Sequence, residues 1–185
     1  TTGIVAENAY VQVRNCEITS NFDSGIYLTG SNLGTIEDNM IQLNKNGILL
    51  GGSTSGMTIR DNRVSANIEA GIRFEGTEGT YIGDVDIFNN TLSSNSKAIY
   101  VFGNVSATVT RNSISFNDVG IYYQNATSAV SPKFNDIYSN DYAMNLTESE
   151  PVNAEYNYWG DETGPFHVLL NTQGQGNQLQ STGYD

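Results

Sequence analysis

The chain has 185 residues, a length suited to one domain. Its net charge of −12, from 8 basic and 20 acidic residues, argues against nucleic acid as a partner, because nucleic acid demands a basic face. Cys16 is the single cysteine, so no internal disulfide forms, and no apolar run reaches the roughly eighteen residues of a membrane span.

The chain divides into seven periods, each opening on Gly or Ala, an apolar residue and an inward–outward alternation. The first opens at Gly3-Ile4-Val5-Ala6, then places Val13, Cys16, Ile18 and Asn21. The second opens at Gly25-Ile26-Tyr27-Leu28 and places Ile36, Asn39, Ile41 and Asn44. The third opens at Gly47-Ile48-Leu49-Leu50, carries a Gly/Ser/Thr loop over 51–56, and places Ile59, Asn62, Val64 and Asn67. The fourth opens at Gly71-Ile72-Arg73-Phe74. It is the longest, with a loop over 75–80, and places Ile87, Asn90, Leu92 and Asn95. The fifth and sixth open at Ala98-Ile99-Tyr100-Val101 and Gly120-Ile121-Tyr122-Tyr123, placing Asn112 and Asn117, then Asn135 and Asn140. The last opens at Ala143-Met144-Asn145-Leu146 and ends with Asn157 and Trp159.

The steps between openings are 22, 22, 24, 27, 22 and 23 residues. A repeat of this length predicts a solenoid, and β-branched residues at fixed registers predict strands stacked in columns. The fold expected is all-β: a right-handed parallel β-helix of about seven coils, 22–28 residues each, over residues 1–167. Residues 168–185 lose the repeat and are expected to form a tail or partial cap. Two asparagine columns mark the corners, where Asn tolerates left-handed dihedrals and stacked amides bond along the axis. The Gly before each Ile is expected to supply positive φ at the next corner. A chain that begins within a coil and shows no obvious cap is expected to be a segment of a longer protein with flanking domains.

These residues resemble the right-handed parallel β-helix repeat superfamily, the pectin-lyase-like fold, over about residues 3–167. Within it the chain is similar to the NosD-type group and to archaeal and bacterial surface β-helix proteins. The segment Asn157-Tyr158-Trp159-Gly160 through Gly164-Pro165 is similar to one that often follows the last coils there. The resemblance implies an extracellular or cell-surface location and a polysaccharide or surface glycan as partner. Some such proteins are lyases, hydrolases or epimerases, a disaggregatase-like surface enzyme being one form; others bind sugar or serve as adhesins and spacers.

The residues themselves offer three surfaces. Asp38 and Asp61 share a column one strand spacing apart, and paired carboxylates are what glycoside hydrolysis uses. In the neighbouring column, Arg14, Glu37 and Arg60 alternate in sign as surface charge pairs do. Glu75, Glu78, Asp84 and Asp86 fall within twelve residues around three glycines, hard oxygen ligands suited to calcium. Tyr27, Tyr100, Phe102 and Tyr122 project outward from the Gly-Ile strands; Tyr100, Phe102 and Tyr122 lie on adjacent coils as an exposed patch suited to sugar rings or a protein partner. His167, the only histidine, rules out a multi-histidine metal centre. The sequons beginning at Asn89, Asn104, Asn125 and Asn145 matter only in an exported protein.

Overall fold

The structure, a computed structural model, describes residues 1–182 except Ser31, Glu78 and Ser128. Up to strand Tyr142–Thr147 every third strand returns to the same sheet, and the strand pairs between coils are parallel and in register apart from one shift between Ile82 and Val85. Sheet A has eight strands, running from Ile4–Glu7 and Ser24–Thr29 through Tyr142–Thr147 to Leu179–Thr182. Sheet B has six, from Tyr10–Arg14 to Ala129–Lys133, and sheet C has six three-residue strands, from Glu17–Thr19 to Asp136–Tyr138. Three faces wound continuously make a right-handed parallel β-helix of six to seven coils.

The inward residues stack as their spacing predicts. Ile26, Ile48, Ile72, Ile99 and Ile121 form one fully buried column of sheet A, and Leu28, Leu50, Phe74, Val101 and Tyr123 form a second. Ile36, Ile59, Ile87 and Val109 line sheet B, and Ile41, Val64, Leu92, Ile114 and Ile137 line sheet C. Trp159 follows Ile137 and closes the last layer at 8 % exposure. Neighbouring strands lie about 4.8 Å apart, so each buried residue touches its own kind above and below.

Two asparagine ladders run along the corners that flank sheet C. In the first, the Asn39, Asn62, Asn90, Asn112 and Asn135 side-chain amides donate to the Oδ1 of the next asparagine at 2.9–3.0 Å, ending on Asn157. Each such Oδ1 also accepts the backbone N–H of the asparagine below. The second ladder runs from Asn21 through Asn44, Asn67, Asn95, Asn117 and Asn140 to Asn177. Cys16 holds the first rung position of the first ladder, and its backbone N–H donates to Asn39 Oδ1 at 3.0 Å.

Two local expectations are corrected. The left-handed residue is the one before each ladder asparagine, not the asparagine itself. Asn15, Asp38, Asp61, Asn89, Arg111, Phe134 and Tyr156 have φ of 54–62° at one corner, and Ser20, Leu43, Ala66, Ser94, Phe116 and Ser139 have φ of 54–60° at the other. That residue turns the chain, and the next side chain then points inward, where its amide bonds carbonyls of two coils. Nor do the glycines before the Ile column have positive φ. They are small because the coils approach there: a Cβ on Gly47 would sit 2.5 Å from the Gly71 carbonyl oxygen.

The segment after 167 does not stay apart from the solenoid. Asn177 extends the second ladder across 37 residues from Asn140, and Leu179–Thr182 pairs with Tyr142–Thr147 as a further strand of sheet A. Residues 161–176 are therefore an excursion between two parts of one coil.

Burial raises the pKa of Tyr123, whose hydroxyl donates to the Val130 carbonyl at 3.1 Å inside the core. Its folded pKa lies above the unfolded value of about 10. Stability from the neutral phenol is fully present below that pH and is lost as pH rises above it, because only the unfolded chain can release the proton. Stability is expected to fall by about 1.4 kcal/mol per pH unit for this group above pH ~10. Tyr123→Phe should flatten that slope in urea titrations at pH 9 to 11, whereas an unchanged slope would assign the loss to other groups.

Candidate functional site

Sheet A presents the outward column Val5, Tyr27, Leu49, Arg73, Tyr100, Tyr122 and Asn145, in register on seven adjacent strands. The ring centroids of Tyr100 and Tyr122 lie 5.2 Å apart and are tilted by 48°. The Arg73 guanidinium lies 4.8 Å from the Tyr100 centroid, and the Lys97 ammonium sits 5.7 Å from Tyr100 and 5.5 Å from Tyr122. Arg73 is held in place by Glu69 and by Glu75, the latter at 3.0 Å. The Tyr100 hydroxyl donates to Gln124 Oε1.

These neighbours correct the picture of Tyr100 as an exposed platform. It is only 8 % exposed, because the long cationic side chains of Arg73 on the preceding coil and Lys97 on its own strand fold over its ring. Tyr27, Phe102 and Tyr122 are half-buried and leave ring surface to solvent. Burial raises the Tyr100 pKa against the opposing pull of Arg73, so the phenol stays protonated at neutral pH. It is a hydrogen-bond donor there and not a base. The surface as a whole joins aromatic rings to two cations and two carboxylates, which suits stacking on a sugar ring while its hydroxyls are bonded.

The carboxylate pair lies elsewhere, at the left-handed corner between sheets B and C. Asp38 is exposed, and Asp61 is bound by Arg60 at 2.6 Å, a contact that also raises the Arg60 pKa. The adjoining alternating column is tighter than a surface pair. Glu37, 5 % exposed, is clasped by Arg14 at 2.9 Å and by Arg60.

The calcium candidates fall on two faces. Glu75 ends a sheet A strand on Arg73, whereas Asp84 and Asp86 share a groove on sheet B with Thr108, which donates to Asp86. Asp84 sits at φ 51° in a bulge of strand Ile82–Phe88. Glu78 lies outside the described residues. Among the described residues no three His, Cys, Asp or Glu side chains gather as a metal site.

The sequence reading passed over a second aromatic surface, formed by Phe116, Phe134, Tyr138, Tyr156 and Tyr158 in the last coils. The available signal was the residue before each ladder asparagine, which turns aromatic only there. His167 holds the excursion, its Nδ1 accepting the backbone N–H groups of Leu169 and Leu170 at 3.2 and 3.0 Å.

Three parallel sheets, stacked aliphatic columns and asparagine ladders define a right-handed parallel β-helix protein of the pectin-lyase-like class. The family model described as periplasmic copper-binding protein (NosD) matches residues 1–178, and the chain belongs to that family. No curated protein matches the chain significantly. Among the described residues no helix is long and apolar enough to cross a membrane.

Proposed function

We propose that this chain is a β-helix domain of an exported protein that binds polysaccharide across the outer face of sheet A. The observation that carries the reading is the Tyr100–Tyr122 pair with Arg73, Lys97 and Gln124 around it. Tyr27 extends the same face along the axis and Phe102 extends it along the Tyr100 strand, giving a chain ligand more than one ring to meet. The family description supports a location outside the cytoplasm. Calcium at Asp84 and Asp86, and hydrolysis or elimination of a glycan through Asp38 and Asp61, are secondary proposals, as is a rod that only spaces other domains.

The family description also names copper, and the side chains present do not fit a copper centre. Copper takes thiolate, thioether or imidazole donors. Here the Cys16 thiol is exposed and bonded to the Arg14 carbonyl, and the half-buried Met40 on the next coil is the one thioether beside it. Met57 and Met144 are buried in the core, and His167, whose Nδ1 is already used, lies in the excursion far along the chain.

Affinity electrophoresis through gels containing neutral or acidic polysaccharides tests the main reading. The wild-type protein is expected to be retarded by at least one of them. Tyr122→Ala should weaken that retardation about tenfold, near 1.4 kcal/mol. Unretarded migration of the wild type in every gel would refute polysaccharide binding.

A further inference from the structure

The last coils carry a second surface with a different chemistry. Phe116, Phe134 and Tyr156 stand at the two left-handed corners with φ of 59, 58 and 62°, and they are 65, 60 and 69 % exposed. A bulky side chain in that conformation is an outlier costing about 1 kcal/mol or more. The first two coils fill the same positions with Asn15, Ser20, Asp38 and Leu43, so a large exposed side chain there is the exception before the last coils and an aromatic is absent. Strain of this kind, kept in exposed aromatics, marks a surface that is used. The rings are organised: Phe134 and Tyr156 stack at 5.4 Å and 12°, and Phe116 meets Tyr138 edge-on at 6.3 Å.

Tyr138 points outward from strand Asp136–Tyr138, and Asp136 pairs with Tyr158 one coil on. That register sets Gly160 opposite Tyr138, where a Cβ would come within 3.2 Å of the Tyr138 Cβ, at a φ of 91° that favours glycine. No side chain therefore covers Tyr138 from the following coil. In its place a groove of about 350 Å³ opens between Tyr138, Tyr158 and the Trp159-Gly160 segment, whose Trp159 ring packs into the core behind it. The returning chain supplies Gln175 and Gln178 to its wall. The described lining holds aromatic rings, amides and Ser139, with no carboxylate, ammonium, guanidinium or imidazole.

We propose that this groove, continued by Phe116, is a binding site for a neutral glycan chain. The proposal rests on the polysaccharide reading above and adds a second, chemically distinct subsite to it. Aromatic faces take the C–H faces of sugar rings, and amides donate to and accept from hydroxyls. The uncharged lining offers a uronate no counter-ion, and the net charge of −12 repels an acidic polymer.

Trp159, the only tryptophan, lies between Tyr158 and Gly160 of the groove and packs inward against the core, so its emission senses a change in this last coil and Tyr158→Ala assigns that change to the groove. The full chain is titrated with neutral hexasaccharides of glucose, mannose, galactose and xylose, and with hexagalacturonate. A saturable change in emission is expected with at least one neutral probe and none with hexagalacturonate. Tyr158→Ala should weaken the response at least tenfold. Phe116→Asn, which suits the left-handed corner, should weaken it while leaving the unfolding temperature unchanged or higher. Tyr122→Ala should leave it intact. No response to any neutral probe, a response that survives Tyr158→Ala, or an equal response to hexagalacturonate would each overturn the proposal. Gel retardation lost in Tyr122→Ala but unaffected by Tyr158→Ala would overturn the groove while leaving the sheet A reading in place. A wild type retarded by no polysaccharide would remove both.

Discussion

Asn90→Ala is expected to destabilise the protein by about 3–5 kcal/mol, from two or three buried groups each losing a partner worth about 1–3 kcal/mol. Asn90 is 1 % exposed at the middle of the first ladder. Its Oδ1 accepts the backbone N–H and the side-chain amide of Asn62, both at 3.0 Å. Its Nδ2 donates to the carbonyls of Ile59 and Phe88 and to Asn112 Oδ1 at 2.9–3.0 Å. Alanine removes all five bonds without giving the freed groups access to solvent. Asn90→Asp keeps the shape but sets an acceptor against three oxygens, so it should be at least as damaging at neutral pH. Urea denaturation measures both, with exposed Asn153→Ala as a control expected within about 0.5 kcal/mol of wild type. An Asn90→Ala loss no larger than the control's would mean the ladder is decoration.

Phe74→Ala is expected to cost a similar 3–5 kcal/mol, through a cavity and not through hydrogen bonds. Phe74 is fully buried and stacks between Leu50 and Val101 on the neighbouring coils. A solenoid has no distant element that can move in to fill the space, because each coil touches only its neighbours. Phe74→Leu keeps most of the volume and should cost about 1.5 kcal/mol or less. Equal losses in the two variants would show that the packing of the ring is not what stabilises the layer.

The columns were legible in the sequence because a buried position accepts few residue types. Ile at 26, 48, 72, 99 and 121, and Asn at both ladder registers, announce themselves by constancy. The corners were not legible for the opposite reason. A left-handed turn held by its neighbours accepts Asp38, Ala66, Arg111 or Phe134, so no constant residue type marks it, and only the run of aromatics in the last coils stands out. The constant asparagine beside it drew the assignment instead, displaced by one residue. Tyr100 was read correctly as outward, but periodicity fixes only where a side chain starts. The long Arg73 and Lys97 side chains that cover it reach across from other positions.

The sheet C groove was hidden for a topological reason. Its rings lie in coils six and seven, but its amide wall comes from Gln175, at the end of the 161–176 excursion that interrupts the period, and from Gln178 just past it. The repeat points to neighbours one coil apart and says nothing of a chain that leaves and returns. Asn177, the last rung, was missed for the same reason.

The account stands on the claim that residues one period apart are nearest neighbours on adjacent coils. Introduced cysteines measure this directly in a Cys16→Ser background. Asp86 and Thr108 are in register on adjacent sheet B strands, which puts their Cα atoms about 4.8 Å apart, within disulfide range. Asp86 and Thr110 are displaced by two residues and lie roughly 8 Å apart, beyond it. Mild oxidation should close an intramolecular disulfide in the Asp86→Cys/Thr108→Cys protein and leave the Asp86→Cys/Thr110→Cys protein with free thiols. Closure of the second pair in preference to the first would contradict the register and, with it, the stacking of the coils.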